Sequence, residues 1–228
     1  MSGIVEVRGL SYVYDDGTEA LNGIDFDLEP GQTVALLGAN GSGKTTFALH
    51  LNGILRAAAG TIRIDGLELN DANLREIRRR VGLVFQDSDN QLFMPTVLED
   101  VAFGPLAAGL SQAEAGDKAR AALEKVGMAR KASKAPWHLS AGEKKRVAIA
   151  GILAGDPNLL VLDEPTTFLD PPGQRGLADL LESLPQAKLL ITHDIPFARR
   201  LTQNAVFFEG GRIAATGTLE DLVEGFGW

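Results

Sequence analysis

Apolar and polar residues alternate over the first thirty positions in the manner of half-buried β-strands. The period of two is clear at residues 5–7 and again at residues 24–28, so alternate side chains would face core and solvent. Turn signals at Asp16-Gly17 and Pro30-Gly31 bound the second stretch. The pattern therefore predicts antiparallel strands near the N-terminus.

Short apolar runs predict further strands, and segments with helical spacing lie between them. The runs are residues 33–37, 61–64, 81–85, 159–162, 188–191 and 205–208. Helical patterns cover residues 46–55 and 173–183, and residues 209–212 have the composition of a hairpin turn. Because strands that alternate with helices pair mostly in parallel, we predict an α/β fold with a mostly parallel core sheet.

Residues 96–155 differ from their surroundings because they are rich in Ala, Leu, Glu and Lys with helical spacing. We interpret this stretch as an inserted helical subdomain. Residues 1–228 are predicted as one domain, with a core of residues 1–86 and 156–228 and a helical subdomain of residues 87–155. This division leaves no room for a large C-terminal regulatory domain.

The composition narrows the classes of protein that fit this pattern. The chain has 228 residues, a formal net charge of −8 and no cysteine. The absence of cysteine excludes disulfides, thiolate metal sites and iron–sulfur clusters, and the acidic balance argues against a general nucleic-acid binder. Every apolar stretch is shorter than the roughly 20 residues of a spanning helix, and no secretory signal is evident. We expect a cytoplasmic chain, or one peripheral on another subunit's membrane segment.

Residues 38–45 carry the strongest chemical signal. They read Gly38-Ala39-Asn40-Gly41-Ser42-Gly43-Lys44-Thr45. This fits G-x-x-x-x-G-K-[ST] at every fixed position, between a buried strand and a helix. Glycines let main-chain N–H groups crowd around phosphate oxygens, and the helix N-terminus adds positive partial charge. Lys44 would meet the outer phosphates, and the Thr45 hydroxyl would ligate Mg²⁺.

Two later strands deliver polar residues to the sheet edge where open α/β sheets place their sites. Asp163 and Glu164 follow residues 159–162, and His193 follows residues 188–191. Asp163 would hold Mg²⁺ through water, and Glu164 would polarise an attacking water as the general base. His193 would hydrogen-bond the γ-phosphate, although an isolated histidine is more often structural.

Residues 140–143 have the form S-x-x-E ahead of an amphipathic helix, which is an ordinary capping box. The same helix N-terminus would serve as a second anion site. The basic residues 144–146 that follow are predicted as a solvated face.

In this order and combination, the motifs resemble those of the nucleotide-binding subunit of an ABC transporter, over nearly the whole chain. Residues 139–143 resemble the signature usually written LSGGQ, and Gln86 matches the Q-loop. Asp170 matches the D-loop, and His193 matches the switch histidine. The predicted fold is accordingly that of a P-loop NTPase.

The resemblance implies an ATPase that uses ATP and Mg²⁺, with its functional residues in several groups. The implied catalytic residues are Glu164, His193 and Gln86, and the implied Mg²⁺ ligands are Thr45, Gln86 and Asp163. The implied nucleotide-binding residues are Tyr14, Gly38, Ala39, Asn40, Gly41, Ser42, Gly43, Lys44, Thr45 and Thr46. The residues implied to face the ATP of a partner subunit are Ser140, Ala141, Gly142 and Glu143. Tyr14 would stack on adenine, whereas its competitor Tyr12 better fits the core.

Two signature positions depart from the family pattern. Ala141 replaces the first of two glycines, and Glu143 replaces glutamine. A carboxylate at Glu143 would repel a γ-phosphate unless the capping box holds it. We expect the chain still to bind nucleotide, and the property that these two departures put in question is the rate of ATP hydrolysis.

The resemblance also implies partners. One set of motifs implies a head-to-tail dimer, either a homodimer or a pair with a paralogous ATPase. Integral membrane transport subunits are also implied as partners, with no nucleic-acid partner. This chain would then lie peripherally at the cytoplasmic face of the cell membrane. Residues 51–55, 85–93, 99–105 and 145–151 are similar to the ATPases of cobalt or nickel importers and of energy-coupling-factor (ECF) importers, although Ser88 replaces a common proline. A transition-metal ion is the favoured cargo, and a vitamin such as biotin is the alternative.

Dense apolar residues after position 91 suggest a partner surface. They are Leu92, Phe93, Met94, Val97, Leu98, Val101 and Phe103. Most are assigned to the core of the helical subdomain, and a minority near residues 91–94 to an exposed patch. The family resemblance implies that this region receives a coupling helix from the membrane subunit.

Two rival functions fit less well. A GTP-binding switch protein would need an N-K-x-D motif, which the sequence lacks. A soluble ABC ATPase of DNA repair or translation usually adds coiled-coil insertions or a second ATPase copy, for which this chain is too short. The basic cluster of Arg75, Arg78, Arg79 and Arg80 is interpreted as a solvated helix face.

Overall fold

Two β-sheets organise the part of the chain that the computed structural model describes, residues 3–87 and 91–228. Ser88, with its departure from the family pattern, lies outside those residues. The strands are β1 (Val5–Val13), β2 (Glu19–Leu28), β3 (Thr33–Leu37), β4 (Ala59–Ile64), β5 (Leu67–Glu68), β6 (Val81–Val84), β7 (Leu159–Asp163), β8 (Ala187–Ile191), β9 (Asn204–Glu209) and β10 (Arg212–Thr218). The helices are α1 (Lys44–Leu51), α2 (Leu74–Arg80), α3 (Val97–Ala107), α4 (Gln112–Lys125), α5 (Ala141–Leu153), α6 (Pro171–Ser183), α7 (Ile195–Leu201) and α8 (Leu219–Phe226).

The larger sheet has the order β10-β9-β3-β8-β7-β6. Strand β3 pairs in parallel with β8 and β9, and β7 pairs in parallel with β8. Every residue of β7 and β8 is buried, as expected for parallel strands that helices cover on both faces. Gly210 and Gly211 both have positive φ in the turn that joins β9 to antiparallel β10. The predicted α/β class with a mostly parallel core sheet is confirmed.

The smaller sheet, of order β2-β1-β4-β5, is antiparallel. Val5 of β1 lies opposite Leu28 of β2 and Ile64 of β4, and all three side chains are buried. Burial alternates along residues 24–28 of β2, so the period of two in the sequence marks the face that meets the core. The N-terminal antiparallel strands are also confirmed.

The chain divides into two compact units. One contains Met1–Leu83, Asn158–Glu164 and Pro185–Trp228, and the other contains Val84–Pro157 and Pro165–Leu184. The second unit holds α3, α4, α5 and α6. Thus residues 165–184, including α6, group with the helical unit and lie beyond the limits of 87–155 predicted from composition.

Capping boxes begin helices α3, α4 and α5 of the second unit. The side chains of Thr96, Ser111 and Ser140 each accept a hydrogen bond from the main-chain N–H three residues ahead, and the main-chain N–H of each cap donates to the glutamate side chain at that position. These are capping boxes, which satisfy N–H groups that a helix start leaves without a partner. The capping box predicted at residues 140–143 is therefore present.

Helix α1 is shorter than its apolar pattern predicts. The predicted span of residues 46–55 is wrong at its end, since the helix stops at Leu51. Gly53 has a φ of 69°, and its N–H donates to the carbonyl of His50, so the chain leaves the helix in a left-handed turn.

The basic cluster near residue 78 lies on α2 and makes structural contacts. The Arg80 guanidinium pairs with Glu76 at 3.0 Å and with Asp65 at 2.8 Å. Arg78 donates to the main-chain carbonyl of Gly53. The charged run therefore forms one face of α2, as the sequence predicts.

Within residues 3–87 and 91–228, no helix is both long and apolar enough to cross a membrane.

Candidate functional site

The loop between β3 and α1 is closely packed against the chain around it. Gly38 has a φ of 131°, and a Cβ there would lie 2.1 Å from the carbonyl oxygen of Phe208. Gly43 has a φ of 105°, and its Cβ would lie 2.5 Å from the carbonyl oxygen of Ala20. Neither position can hold a side chain without movement of the backbone. The glycines of the motif therefore form a close-fitting loop ahead of a helix N-terminus, as a phosphate site needs.

Lys44 folds back over this loop. Its Nζ donates to the carbonyl oxygens of Gly38 at 2.5 Å and Ala39 at 2.9 Å. Burial lowers the pKa of Lys44, against the raising effect of Glu164 and Asp163. The ammonium is thus held within the loop, where phosphate oxygens would accept its hydrogen bonds as the carbonyl oxygens do.

Thr45 and Asp163 come together although 118 residues separate them. The Thr45 hydroxyl donates to Asp163 Oδ2 at 2.8 Å. A hydroxyl and a carboxylate are oxygen donors of the kind that Mg²⁺ prefers, so this pair fits the ion. Gln86, the third predicted ligand, belongs to the other compact unit, and its role as a ligand stays a prediction.

Glu164 and His193 meet beside the same loop. His193 Nε2 lies 3.4 Å from Glu164 Oε1 and 3.0 Å from Asn40 Oδ1. The main-chain N–H of His193 also donates to Glu164 Oε2 at 3.4 Å. Burial raises the pKa of Glu164, and the neighbouring His193 opposes that rise. A half-buried carboxylate beside a phosphate loop can accept a proton from an attacking water.

The backbone of Glu164 adopts an unusual conformation. Its φ is 45°, in the left-handed region that residues with a Cβ seldom occupy. The N–H of Glu164 donates to the carbonyl of Ile191 at 2.9 Å, which anchors the turn after β7. Backbone strain of this kind is concentrated at functional sites.

The two tyrosines near the loop differ in their partners. The Tyr14 hydroxyl shares a hydrogen bond of 2.9 Å with Thr46 Oγ1 at the start of α1. Tyr12 is half-buried and packs edge-on against Tyr14 and against the fully buried His50. Tyr14 is thus tied to the start of α1, and its contact with adenine stays a prediction, whereas Tyr12 is only partly in the core.

In the second unit, the carboxylate of Glu143 is held by two partners. Ser140 N–H donates to Glu143 Oε2 at 3.0 Å, and Lys131 Nζ lies 2.9 Å from Glu143 Oε1. The ion pair with Lys131 is the larger cause that lowers the pKa of Glu143, and the Ser140 N–H adds to it. The condition set by the sequence, that the capping box should hold this charge, is therefore met.

The predicted solvated face at residues 144–146 is wrong for Lys145. This side chain is only 2% exposed, and its Nζ donates to the carbonyl oxygens of Phe85 at 3.1 Å and Gln86 at 2.8 Å. Because Lys145 lies between two other basic residues, the sequence does not distinguish it from an exposed charged residue. A signal is nevertheless present, because Lys145 is spaced three and four residues from the buried Ala148 and Ile149.

A cavity of about 300 Å³ in the second unit brings three predicted motifs together. It is lined by Gln86, Asp87, Ala141, Lys144, Lys145, Thr167 and Phe168. Next to it, Asp170 caps α6 by accepting a hydrogen bond from the N–H of Gly173. The Q-loop, the signature helix and the start of the D-loop therefore share one surface.

The apolar segment after position 91 is divided between core and surface. Val97 and Val101 are fully buried, whereas Phe93 is 64% and Phe103 is 45% exposed. The two phenylalanine rings pack edge to face, with centroids 5.1 Å apart. The buried Asp100 carboxylate accepts hydrogen bonds from the main-chain N–H groups that precede α3, those of Phe93 and Met94. The exposed patch predicted near residues 91–94 is present at Phe93 and extends to Phe103.

Comparison with known proteins agrees with this set of motifs. The sequence profile of the ABC transporter family matches residues 21–167. A Streptomyces avermitilis protein, provisionally named an ABC transporter ATP-binding protein, is 52% identical over 219 residues, which are 96% of this chain and 84% of that protein. The energy-coupling factor transporter ATP-binding protein EcfA of Methanosphaera stadtmanae is 48% identical over 97% of this chain and 82% of its own length.

Solved structures give the same result for the fold. CbiO1 of Clostridium perfringens, described as part of the ABC transporter complex CbiONQ, superposes with a TM-score of 0.88 at 36% identity, over 98% of this chain and 92% of CbiO1. A dimeric ATP-binding cassette in a post-hydrolysis state with ADP and Pi gives a TM-score of 0.84 at 29% identity, over 94% of this chain and 98% of the cassette.

Proposed function

We propose that this chain, which belongs to the ABC transporter family as an ATP-binding subunit, hydrolyses ATP to power import of a transition-metal ion, cobalt or nickel. The family and the ATPase activity are established by the relatives. Residues 51–55, 85–93, 99–105 and 145–151 resemble the ATPases of cobalt and nickel importers as well as those of ECF importers, and this shared resemblance supports a metal as cargo. An ECF-type vitamin importer is the second candidate, and the similarity to EcfA favours it.

One observation carries the proposed catalytic mechanism, namely that Thr45, Asp163, Glu164 and His193 converge on the phosphate loop. Lys44 and the loop N–H groups would bind the phosphates of ATP. Thr45 and Asp163 would hold Mg²⁺, which would neutralise charge on the phosphate oxygens. Gln86 is a further ligand that the family resemblance implies, and it belongs to the second unit. Glu164 takes the proton of the attacking water on a carboxylate oxygen, and His193 contacts the γ-phosphate.

A second subunit would complete the site. In this proposal, Ser140 and Gly142 at the N-terminus of α5 face the ATP that the partner's phosphate loop holds. The pairing of the Glu143 carboxylate with Lys131 and the Ser140 N–H supports this arrangement, since the charge is compensated before any phosphate arrives. The proposal holds equally for a homodimer and for a pair with a paralogous ATPase.

The surface formed by Phe93 and Phe103 is the proposed contact with a membrane subunit at the cytoplasmic face. Exposed aromatic rings that touch each other are a candidate docking surface for an amphipathic helix. The Asp100 carboxylate accepts hydrogen bonds from the main-chain N–H groups of Phe93 and Met94, which anchors the backbone that carries the Phe93 ring and supports this proposal.

Glu164→Gln tests the assignment of the general base. The amide keeps the shape of the carboxylate but cannot accept the proton, so hydrolysis should fall by about 10²–10⁴-fold while ATP binding persists. ATP should then hold the variant as a closed dimer, which elutes earlier in size-exclusion chromatography. Glu19→Gln, at an exposed position of β2, is the control. An unchanged elution profile with ATP would contradict the role of Glu164.

Lys44→Ala tests the phosphate loop itself. The substitution removes the ammonium that the loop surrounds, so ATP binding measured by calorimetry should be lost. Lys134→Ala, on an exposed loop, should bind ATP like the parent chain. Retained ATP affinity in Lys44→Ala would refute the proposed site.

A further inference from the structure

The exposed face of His193 is covered by an aromatic ring that no motif predicts. The indole of Trp228 stacks on the imidazole, with ring centroids 5.2 Å apart and an angle of 26° between the planes. The other contacts of this imidazole lie at its edge, where Nε2 faces Asn40 and Glu164. Contacts at one edge alone would leave the imidazole of His193 free to turn about that edge. The stacked indole of Trp228 therefore fixes the plane of the imidazole.

Trp228 is itself held firmly. Helix α8 ends at Phe226 and is capped by Gly227, whose φ of 64° turns the chain back, and the N–H of Trp228 donates to the carbonyl of Val223 at 2.9 Å. Phe207 of β9 stacks on Phe226 at 3.8 Å and meets the Trp228 ring edge-on at 5.5 Å. The main chain of Trp228 is thus fixed at the helix end and its ring packs on Phe207, so the indole can hold its neighbour in one orientation.

The same aromatic residues border the phosphate loop. A cavity of about 340 Å³ is lined by the loop residues Ala39 to Ser42, by residues 207–210 at the end of β9, and by Phe226 and Trp228. Trp228 therefore touches both the histidine and the space next to the loop that the histidine faces.

We propose that Trp228 is a positioning residue, which holds the His193 imidazole in the plane that directs Nε2 toward Asn40 and Glu164. The inference rests on the proposed role of His193 in ATP hydrolysis. Trp228 does not touch the phosphates in this proposal. Its effect passes through the imidazole, so it should alter turnover and leave ATP affinity unchanged.

Two substitutions of Trp228 separate the flat ring from its apolar bulk. Trp228→Leu keeps an apolar side chain against Phe207 but removes the stack, so kcat for ATP should fall about three- to tenfold with an unchanged Kd. Trp228→Phe keeps a flat ring and should restore most of the turnover. Trp137→Leu, which alters the other, exposed tryptophan, should leave kcat unchanged. Equal activity of the Leu and Phe variants would overturn the proposal.

A double-mutant cycle with His193→Ala tests whether Trp228 acts through the histidine. Once the imidazole is gone, Trp228→Leu should cause no further loss of kcat. A full additional loss would show that Trp228 acts on the fold, which overturns the positioning role but leaves the proposed function intact. If His193→Ala alone retains full turnover, the role of His193 fails and the role of Trp228 fails with it.

Fluorescence reports the stack without any catalysis. In a Trp137→Phe background, Trp228 is the one remaining tryptophan of the chain. Its emission intensity and maximum should change when His193→Ala removes the ring that it faces. An identical spectrum in the two proteins would show that the stack is not formed in solution, and the proposal would fail.

Discussion

In the sequence alone, the Glu143 carboxylate is unfavourable for phosphate binding, whereas in the structure its neighbours compensate the charge. An unpaired carboxylate at a helix N-terminus that receives phosphate would repel the ligand. Here one carboxylate oxygen accepts the Ser140 N–H, and the other pairs with Lys131. The charge is therefore balanced locally, and the helix start can still receive an anion.

This pairing predicts that Lys131 matters only through Glu143. Lys131→Ala should leave the Glu143 charge less compensated and lower ATPase activity about two- to fivefold, in line with the modest strength of a partly exposed ion pair. In a Glu143→Gln background the same change should have no effect. Arg130→Ala, at the exposed neighbouring position, serves as the control in the ATPase assay. Equal losses in both backgrounds would disprove the coupling.

The residues of the site differ in how far the sequence reveals them. Asp163 and Lys44 are predictable because each stands at a strand end or helix start within a motif whose spacing reflects its chemistry. Trp228 is not predictable, because its role comes from the turn at Gly227 and the packing on Phe207. Contacts of this kind depend on tertiary structure and leave no local pattern.

At the scale of elements, α5 does more than present the signature residues. Its buried Lys145 donates to the carbonyls of Phe85 and Gln86, so the helix and the Q-loop are held together within the second unit. In the proposed site, a displacement of the helix would therefore be transmitted to the residue that is predicted to ligate Mg²⁺.

Lys145→Met tests this connection by leaving two main-chain carbonyls without their donor. Methionine fills similar space, so the cost should come from the lost hydrogen bonds, about 1–3 kcal/mol in the free energy of unfolding measured with urea. Lys125→Met, at an exposed position of α4, should stay within about 0.5 kcal/mol of the parent. Parental stability in Lys145→Met would show that the carbonyls find other partners.

Element boundaries were less predictable than element types. The buried strand at residues 33–37 matches its apolar run, because a parallel strand is apolar throughout its length. Helix α1 ends before residue 55, since Gly53 takes a left-handed conformation and a Cβ there would lie 2.5 Å from Leu74. That close approach belongs to the tertiary structure and is hidden from the helical pattern.

For the whole molecule, the charge and the apolar surface indicate what kind of partner fits. The chain carries a net charge of −8, and the residues of its basic cluster on α2 make ion pairs and main-chain contacts. Nucleic acid, which is polyanionic, is a poor match for such a chain. The exposed rings of Phe93 and Phe103 better match an apolar helix presented by a membrane subunit.

Phe93→Ser should therefore weaken association with the membrane subunit in co-purification from detergent. Loss of an exposed anchor ring should reduce recovery of the complex about tenfold or more. Trp137→Ser removes another exposed aromatic ring, 66% accessible, and should not reduce recovery. Retention of the parent chain on nucleic acid, with no membrane protein recovered, would instead favour the soluble ABC ATPase.

The left-handed backbone conformation of Glu164 lowers the stability of the fold, so selection for stability alone would act against a glutamate at this position. A residue with a Cβ in this conformation costs about 1–3 kcal/mol relative to an unstrained one, and glycine would relieve that cost. A lineage selected only for heat resistance would gain by losing this glutamate, whereas one that must hydrolyse ATP would retain it. Position 164 is therefore a place where catalytic demand can be distinguished from the demands of folding, because the two favour different residues.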